Sequence, residues 1–209
     1  MSSIRQKHPI SALAAMLASA LCLGAALPTA AQTPTPASLA GQLLVASPSM
    51  GDPRFARTVV LMVRHDKDGA FGIIVNRPIG ERPLAGLLET LGEKETTVAG
   101  TVRIFAGGPV QPEMGFVIHS SDYHRPGTTA INGRVAMTAS REILRDIGHN
   151  TGPKQSLIAF GYAGWGPGQL EGELARRDWS IAPGEPKLIF DEDRDKVWDA
   201  AFAQRMQDL

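Results

Sequence analysis

The stretch Thr58-Val-Val-Leu-Met-Val-Arg-His-Asp-Lys-Asp-Gly-Ala-Phe-Gly-Ile-Ile-Val-Asn-Arg-Pro78 predicts a β-hairpin. Its first half, up to Val63, is apolar and rich in β-branched residues, which is typical of a strand covered on both faces. The dipeptide Asp68-Gly69 then favours a tight turn, because glycine accepts the positive φ that such turns need. A second apolar run returns as far as Asn76, and we expect the proline at 78 to end it.

Helix and strand patterns alternate on both sides of this hairpin. Leucines at helical spacing, or a cap followed by an apolar stripe, predict helices at 83–91, 141–147, 169–177 and 194–207. Short apolar runs predict further strands at 42–46, 102–106, 115–119, 135–138, 156–160 and 188–190. Residues 161–168, rich in glycine, are expected to form a connection between strand and helix. A hairpin among alternating strands and helices indicates one α/β domain with a mixed sheet.

Three long strings carry a resemblance to a known family. The first begins with Leu44-Val-Ala-Ser-Pro-Ser-Met-Gly-Asp-Pro-Arg-Phe-Ala-Arg-Thr58 and continues into the hairpin. The second is Phe105-Ala-Gly-Gly-Pro-Val-Gln-Pro-Glu-Met-Gly-Phe-Val-Ile-His-Ser120, and the third is Gly161-Tyr-Ala-Gly-Trp-Gly-Pro-Gly-Gln-Leu-Glu-Gly-Glu-Leu174. Together they resemble the AlgH/YqgE family of bacterial proteins over about residues 41–190. The resemblance implies an α/β (α+β) domain whose mixed, strongly curved sheet forms a partial barrel flanked by helices. It implies no agreed catalytic set and no settled activity.

The N-terminus has the layout of a secretory signal peptide. A short basic start containing Arg5 and Lys7 precedes an uncharged run rich in alanine and leucine. We therefore expect a signal peptide at 1–31, a Pro/Thr-rich tether at 32–40 and a single domain at 41–209, with a periplasmic location. The alternative is a misassigned start codon and a cytoplasmic protein. Cleavage removes two of the 21 basic residues and none of the 21 acidic ones, which leaves a net charge of −2.

This composition disfavours several classes of protein. A weakly acidic chain without a clustered basic face is a poor nucleic-acid binder. The single cysteine, Cys22, lies in the predicted signal peptide, so a disulfide, a cysteine nucleophile and a cysteine-based zinc site are excluded from the mature chain. No histidine pair has the spacing of a helical metal site, and no cofactor fingerprint is present. No segment of the mature chain is long and apolar enough to span a bilayer.

The glycine-rich string after residue 160 allows two interpretations. It lies between a strand and a helix, where phosphate groups are often bound. However, glycines at 164, 166 and 168 do not match the dinucleotide fingerprint, and Pro167 removes one N–H donor. The other interpretation is a tight turn that folds Trp165 back onto the sheet as a core anchor.

Six residues are candidates for a ligand or partner cleft. They occur in the three strings, beside predicted strand ends or in glycine loops: Arg54, Asn76, Gly107, Gly108, His119 and Trp165. Each also has a structural interpretation, and the two remain open for Arg54 and Asn76. We expect these two to lie close together at one end of the sheet. By contrast, His65 is predicted to lie at a solvated hairpin tip.

The leading functional hypothesis is a non-enzymatic binding or regulatory module. Its partner would be a small ligand or a protein of unknown identity. One alternative is a hydrolase or isomerase that acts on a small ligand in a cleft near Gly107, His119 and Gly164. Another is a transcriptional regulator, a role proposed for the resembled family, which applies only if the chain is not exported.

Overall fold

The computed structural model describes residues 38–93, 98–190 and 193–206. The predicted signal peptide and residues 32–37 of the predicted tether lie outside the described residues. The strands are β1 Leu43–Ala46, β2 Val59–Asp66, β3 Gly69–Ile74, β4 Pro78–Pro83, β5 Thr101–Ala106, β6 Val110–Ser120, β7 Thr128–Ala130, β8 Val135–Thr138, β9 Ser156–Trp165 and β10 Trp179–Ala182. The helices are α1 Leu84–Thr90, α2 Glu142–Gly148, α3 Gln169–Ala175, α4 Pro186–Phe190 and α5 Arg194–Ala203. Within the described part of the chain, no helix combines the length and apolar character needed to cross a membrane.

The strands form one curled sheet in the order β10-β1-β2-β3-β9-β6-β8-β7. Neighbours along this path are antiparallel, whereas β5 pairs with β9 in parallel, with Ile104 opposite Ile158. Strand β4 adds to the outer side of β5. The sheet is therefore mixed and curls into a half-barrel, which confirms the predicted fold class.

Residues of β2 alternate between the two faces of the sheet, as the apolar run after Thr58 predicts. Val59, Leu61 and Val63 join the inner core, while Val60 and Met62 join a cluster on the outer face. Helices α4 and α5 contribute to the inner core through side chains such as Ile189 and Trp198. The Trp198 indole also donates to the carbonyl of Ala46 at 2.9 Å. Burial of each large aliphatic side chain contributes roughly 1.5–3 kcal/mol, so both faces of β2 stabilise the barrel.

Two separate clusters cover the outer face of the sheet. Leu170 of α3 packs on one of them, together with Trp165 and Trp179. Helices α1 and α2 pack on the other, through residues that include Leu88 and Leu144. The sheet thus carries α3 over one region of its outer face and the α1–α2 pair over another.

Two local predictions are wrong. Residues 161–165 continue β9, because their backbone pairs with β3 and places Ala70 opposite Trp165. Residues 188–190 belong to α4, where the Leu188 N–H donates to the carbonyl of Glu185 at 3.0 Å. The hairpin strand ends at Ile74, before Pro78 as predicted, and Pro78 begins the exposed edge strand β4, in which a missing N–H is tolerated. Strands β4, β7 and β10 were not predicted.

Candidate functional site

A cleft with a volume of about 330 Å³ opens between α3 and the turn that follows β1. We name it the aromatic cleft. Its lining comes from four segments of the chain: Met50, Gly51, Asp52, Arg54 and Phe55; Gly164 and Trp165; Gln169, Glu173 and Arg176; Asp178 and Trp179.

The carboxylate of Glu173 joins two tryptophans at the base of the cleft. The indole Nε1 atoms of Trp165 and Trp179 both donate to Glu173 Oε2, each at 2.8 Å. Gln169, one turn earlier in α3, donates from Nε2 to Glu173 Oε1 at 2.9 Å. Helix α3 begins directly after Gly168, whose φ of 73° lets the chain turn from β9 into the helix. The carboxylate therefore has three donors, and it fixes both indole rings relative to α3.

The aromatic rings in the cleft pack edge to face. Trp165 and Trp179 have ring centroids 6.0 Å apart at 79°, and Phe55 and Trp179 have centroids 5.5 Å apart at 73°. Such geometry is favourable because the positive edge of one ring meets the negative face of the next. Trp165 is 7% exposed and Trp179 is 3% exposed. The expectation that Trp165 anchors the core is met.

Two ion pairs between close neighbours in sequence form the rim. Arg54 donates from Nε and Nη2 to the carboxylate of Asp52, and Arg176 makes the same type of contact with Asp178. The side-chain hydrogen bond from Arg54 lowers the pKa of Asp52, and the pKa of Arg54 is raised in return. The arginine side chains are 67% and 64% exposed. Both guanidinium groups are thus oriented by a neighbour but remain open to solvent.

The lining offers few groups that transfer protons near neutral pH. None of the described lining residues is a histidine, serine, threonine, tyrosine, lysine or cysteine. The lowered pKa makes Asp52 a weak base, and a guanidinium does not release its proton near neutral pH. Since Glu173 already accepts three hydrogen bonds, the cleft presents donors and aromatic surface but no evident pair of acid and base.

Metal-ligating side chains are not grouped in the described part of the chain, where no three of His, Cys, Asp and Glu lie close enough to hold an ion.

Two of the six predicted site residues, Arg54 and Trp165, line the aromatic cleft together. Asn76 lies beside the same turn but has a different role. Its Oδ1 accepts from the Val59 N–H and its Nδ2 donates to the Arg57 carbonyl, both at 2.9 Å. The adjacent Arg77 donates to the carbonyls of Arg54 and Ala56. Asn76 and Arg77 therefore hold the turn that presents Arg54, and Asn76 is not part of the lining.

Gly107 and Gly108 follow β5 and lie in close contact with the backbone of β9. The Gly107 N–H donates to the Phe160 carbonyl at 2.7 Å. A Cβ on Gly108 would lie 2.2 Å from the carbonyl oxygen of Tyr162, and the φ of 154° at Gly108 also favours glycine. These contacts explain the glycine pair as a packing requirement between the end of β5 and β9.

His119 is fully buried in a chain of hydrogen bonds. Its Nδ1 lies 2.9 Å from the Ser120 carbonyl, and its Nε2 lies 2.9 Å from Thr138 Oγ1, which is 2.7 Å from Thr128 Oγ1. The carbonyl can only accept, so Nδ1 carries the proton and Thr138 donates to Nε2. Burial lowers the pKa of His119, because the imidazolium form loses its hydration.

The pairing register separates His119 from the aromatic cleft. His119 lies opposite Ser156 at the start of β9, and Trp165 lies at its other end. Nine residues at 3.3 Å each separate the two by about 30 Å along the strand. The six predicted residues therefore do not all line the aromatic cleft, because Asn76, Gly107, Gly108 and His119 are absent from its lining.

His65 is buried, which contradicts the prediction of a solvated position. Its Nε2 lies 2.9 Å from Glu171 Oε1, and the Leu39 N–H donates to its Nδ1 at 3.2 Å. The hydroxyl of Ser38 donates to the His65 carbonyl at 2.9 Å. His65 thus ties the start of the described chain to α3, a contact between residues 106 positions apart that hairpin chemistry cannot indicate.

The sequence interpretation missed Glu173 and Trp179. One signal was available: a glutamate on a short predicted helix, eight residues after one tryptophan and six before another. Buried indole N–H groups usually find an acceptor, so a carboxylate between two tryptophans was a candidate partner.

Comparison with known proteins places the chain in a family. The model of the AlgH-like family, DUF179, matches residues 43–209. A UPF0301 protein of Sphingopyxis alaskensis is 45% identical over 81% of this chain and 90% of its own length, and one of Cereibacter sphaeroides is 44% identical over 77% and 88%.

Two solved structures have a similar fold. The solution structure of the AlgH protein from Pseudomonas aeruginosa has a TM-score of 0.68 and 38% identity, and the match covers 83% of this chain and 92% of that one. A crystal structure of a protein from Corynebacterium diphtheriae has a TM-score of 0.62 at 24% identity, covering 84% and 90%, which shows the fold alone. The chain therefore belongs to the AlgH-like family, whose function is uncharacterised.

Proposed function

We propose that this protein is a non-enzymatic binding module whose ligand site is the aromatic cleft. The observation that carries the proposal is that two segments distant in sequence line the same cleft. Residues 50–55 and 164–173 come from two of the three strings that carry the family resemblance, and they form one cleft although more than a hundred positions separate them. A fold needs long-range packing of this kind, but it does not need two exposed arginines at the edge of an aromatic pocket.

The lining indicates the chemistry of the ligand. Arg54 and Arg176 each use Nε and Nη2 on an aspartate, so Nη1 of each donates to no described residue. Phe55 and Met50 are half-buried and offer apolar surface beside these donors. A compact organic molecule or a protein side chain with a flat apolar part and hydrogen-bond acceptors fits this combination.

A thermal-shift screen of the purified protein against a metabolite library tests the proposal, because a specific ligand raises Tm by mass action. Hits are then measured with three variants. Arg54→Ala and Gln169→Ala remove exposed lining side chains and should weaken binding about tenfold. Arg82→Ala removes an exposed arginine on β4, away from the cleft, and should leave affinity unchanged.

The affinities of the hits for the three variants decide whether the ligand binds in the aromatic cleft. Hits whose affinity falls in both lining variants and persists in Arg82→Ala support the cleft. Hits that bind all three variants equally, or a library with no hit, contradict the proposal.

We further propose that the protein acts in the periplasm. The support is the basic start, the uncharged run and the small residues before Gln32. N-terminal sequencing of the protein from a periplasmic extract should give a chain that begins at Gln32. An intact chain from Met1 in the cytoplasm would contradict export and would reopen the regulator alternative.

A further inference from the structure

We propose that a second cavity, separate from the aromatic cleft, binds a small monocarboxylate with an apolar body the size of one aromatic ring. The cavity has a volume of about 180 Å³ and lies between the α1–α2 pair and the outer face of the sheet. It shares no lining residue with the aromatic cleft. We name it the helix-pair cavity.

Small residues on one wall leave this space open. Gly115 lies opposite Phe160 in the pairing of β6 with β9, and a Cβ there would lie 3.3 Å from the Phe160 ring. Ala139 follows β8 and has only a methyl side chain. A larger side chain at either position would occupy the cavity. The cavity therefore exists because Gly115 and Ala139 are small.

The remaining walls are mainly apolar. They are formed by Leu91, Phe116, Val117, Leu144, Ile158 and Phe160. Apolar walls around unfilled space lose dispersion contacts, so an apolar occupant gains free energy by restoring them. An apolar cavity of roughly 150 Å³ is large enough for benzene. The helix-pair cavity, at about 180 Å³, therefore has room for one aromatic ring as the body of the ligand.

An arginine at the mouth selects the head group of the ligand. Arg141 is 52% exposed, and its Nη1 donates to the Leu91 carbonyl at 2.7 Å and to Glu93 Oε1 at 3.4 Å. Its Nε and Nη2 donate to no described residue. These two atoms form the side-on fork that binds both oxygens of a carboxylate.

The charges around the mouth permit an anion. Glu93 is 17% exposed and is shared by two guanidinium groups, those of Arg141 and Arg145. The carboxylate of Glu142 accepts a hydrogen bond from the Ser140 hydroxyl. The two guanidinium groups balance the carboxylates of Glu93 and Glu142, so an incoming carboxylate binds to the Nε and Nη2 donors of Arg141 without adding to an excess of negative charge. A benzoate-like molecule meets both requirements, with its ring inside the cavity and its carboxylate at the mouth.

Three probes of similar shape and different charge test this site in the full chain. Benzoate, toluene and benzylammonium are titrated separately, with Tm and amide chemical shifts as readouts. Benzoate at ten times its Kd should raise Tm by about 3 °C. It should shift the amides of Gly115 and Thr138, toluene should bind more weakly, and benzylammonium should not bind.

Three variants locate the site. Arg141→Gln should weaken benzoate about tenfold and leave toluene unchanged. Gly115→Val should fill the cavity and abolish binding of both. Gly86→Val is the matched control and should bind both as the parent does, because a Cβ at this exposed glycine of α1 would have nothing within 4 Å. Arg141→Gln keeps the test decisive if Gly115→Val does not fold.

Several results would overturn the assignment: benzylammonium or toluene binding as tightly as benzoate, no binding by benzoate, or Arg141→Gln leaving benzoate affinity unchanged. Amide shifts confined to the aromatic cleft would do the same.

Discussion

Glu173→Ala is the substitution that tests most directly how the aromatic cleft is built. In the parent, one carboxylate oxygen accepts the N–H groups of Trp165 and Trp179 at 2.8 Å. Alanine removes the acceptor and leaves two indole donors facing the space it occupied. The helix itself should not suffer, because alanine is the best helix former.

The expected loss follows from the two hydrogen bonds. A hydrogen bond to a charged group contributes about 1.5–3 kcal/mol, so two would contribute about 3–6 kcal/mol. Glu173 is half-buried at the edge of the cleft, and water can replace part of what is lost. We therefore expect the free energy of unfolding to fall by about 2–4 kcal/mol, and Tm to fall by about 5–15 °C for a domain of this size.

Urea unfolding followed by tryptophan fluorescence measures this change. Glu173→Gln is the graded control, because an amide oxygen can still accept from both indoles, and it should cost only about 1 kcal/mol. Trp165→Phe removes one N–H and keeps an aromatic ring, so Glu173→Ala should cost about half as much in that background. If Glu173→Ala is as stable as the parent, or if its cost is unchanged by Trp165→Phe, the carboxylate does not hold the two rings.

Three further predictions concern Gly108, pH and metals. Gly108→Ala should destabilise the protein by about 3 kcal/mol or more, because the new Cβ would contact the Tyr162 backbone and a positive φ disfavours alanine. Gly133→Ala, at an exposed glycine, should be nearly neutral. Equal urea midpoints for the two variants would contradict this prediction. The free energy of unfolding should decline as pH falls below about 6.5, because His119 has a lowered pKa in the folded state and the unfolded chain takes up the proton first. That slope should be absent in His119→Gln, and its persistence there would assign it to another group. A chelator should leave Tm unchanged, since no metal-ligating cluster exists among the described residues, and a drop of several degrees would show a structural metal.

Local chemistry was enough to predict the hairpin and the flanking helices. The run after Thr58, the Asp68-Gly69 turn and the return to Asn76 specify two paired strands without help from the rest of the chain. Leucines at helical spacing indicated α1, and polar caps before apolar stripes indicated α2 and α5. The resemblance strings led to the family, because their glycines, prolines and tryptophan match as long strings and not as isolated residues, and the family implied the curled sheet.

The same local rules failed where a distant segment supplies the pairing or packing. Glycines at 161 and 164 favour a loop, yet β3 pairs with that stretch and makes it the end of β9. The apolar residues at 188–190 suit a strand or a helix equally well, and their packing in the inner core as part of α4 decides between the two. His65 was placed in solvent because its partner, Glu171, lies 106 residues further along the chain.

The candidate site also combines residues that the sequence indicated with contacts that only the tertiary structure determines. The sequence indicated Arg54 and Trp165 as candidates, because each lies in a string that carries the family resemblance, beside a predicted strand end or in a glycine loop. It could not indicate that they share a cleft, that Asn76 serves the backbone of the adjacent turn, or that His119 lies about 30 Å away along β9. Residue type and spacing determine local conformation and the family. The curl of the sheet, which brings the turn after β1 to α3 and the two tryptophans to one carboxylate, determines which side chains can meet a common ligand.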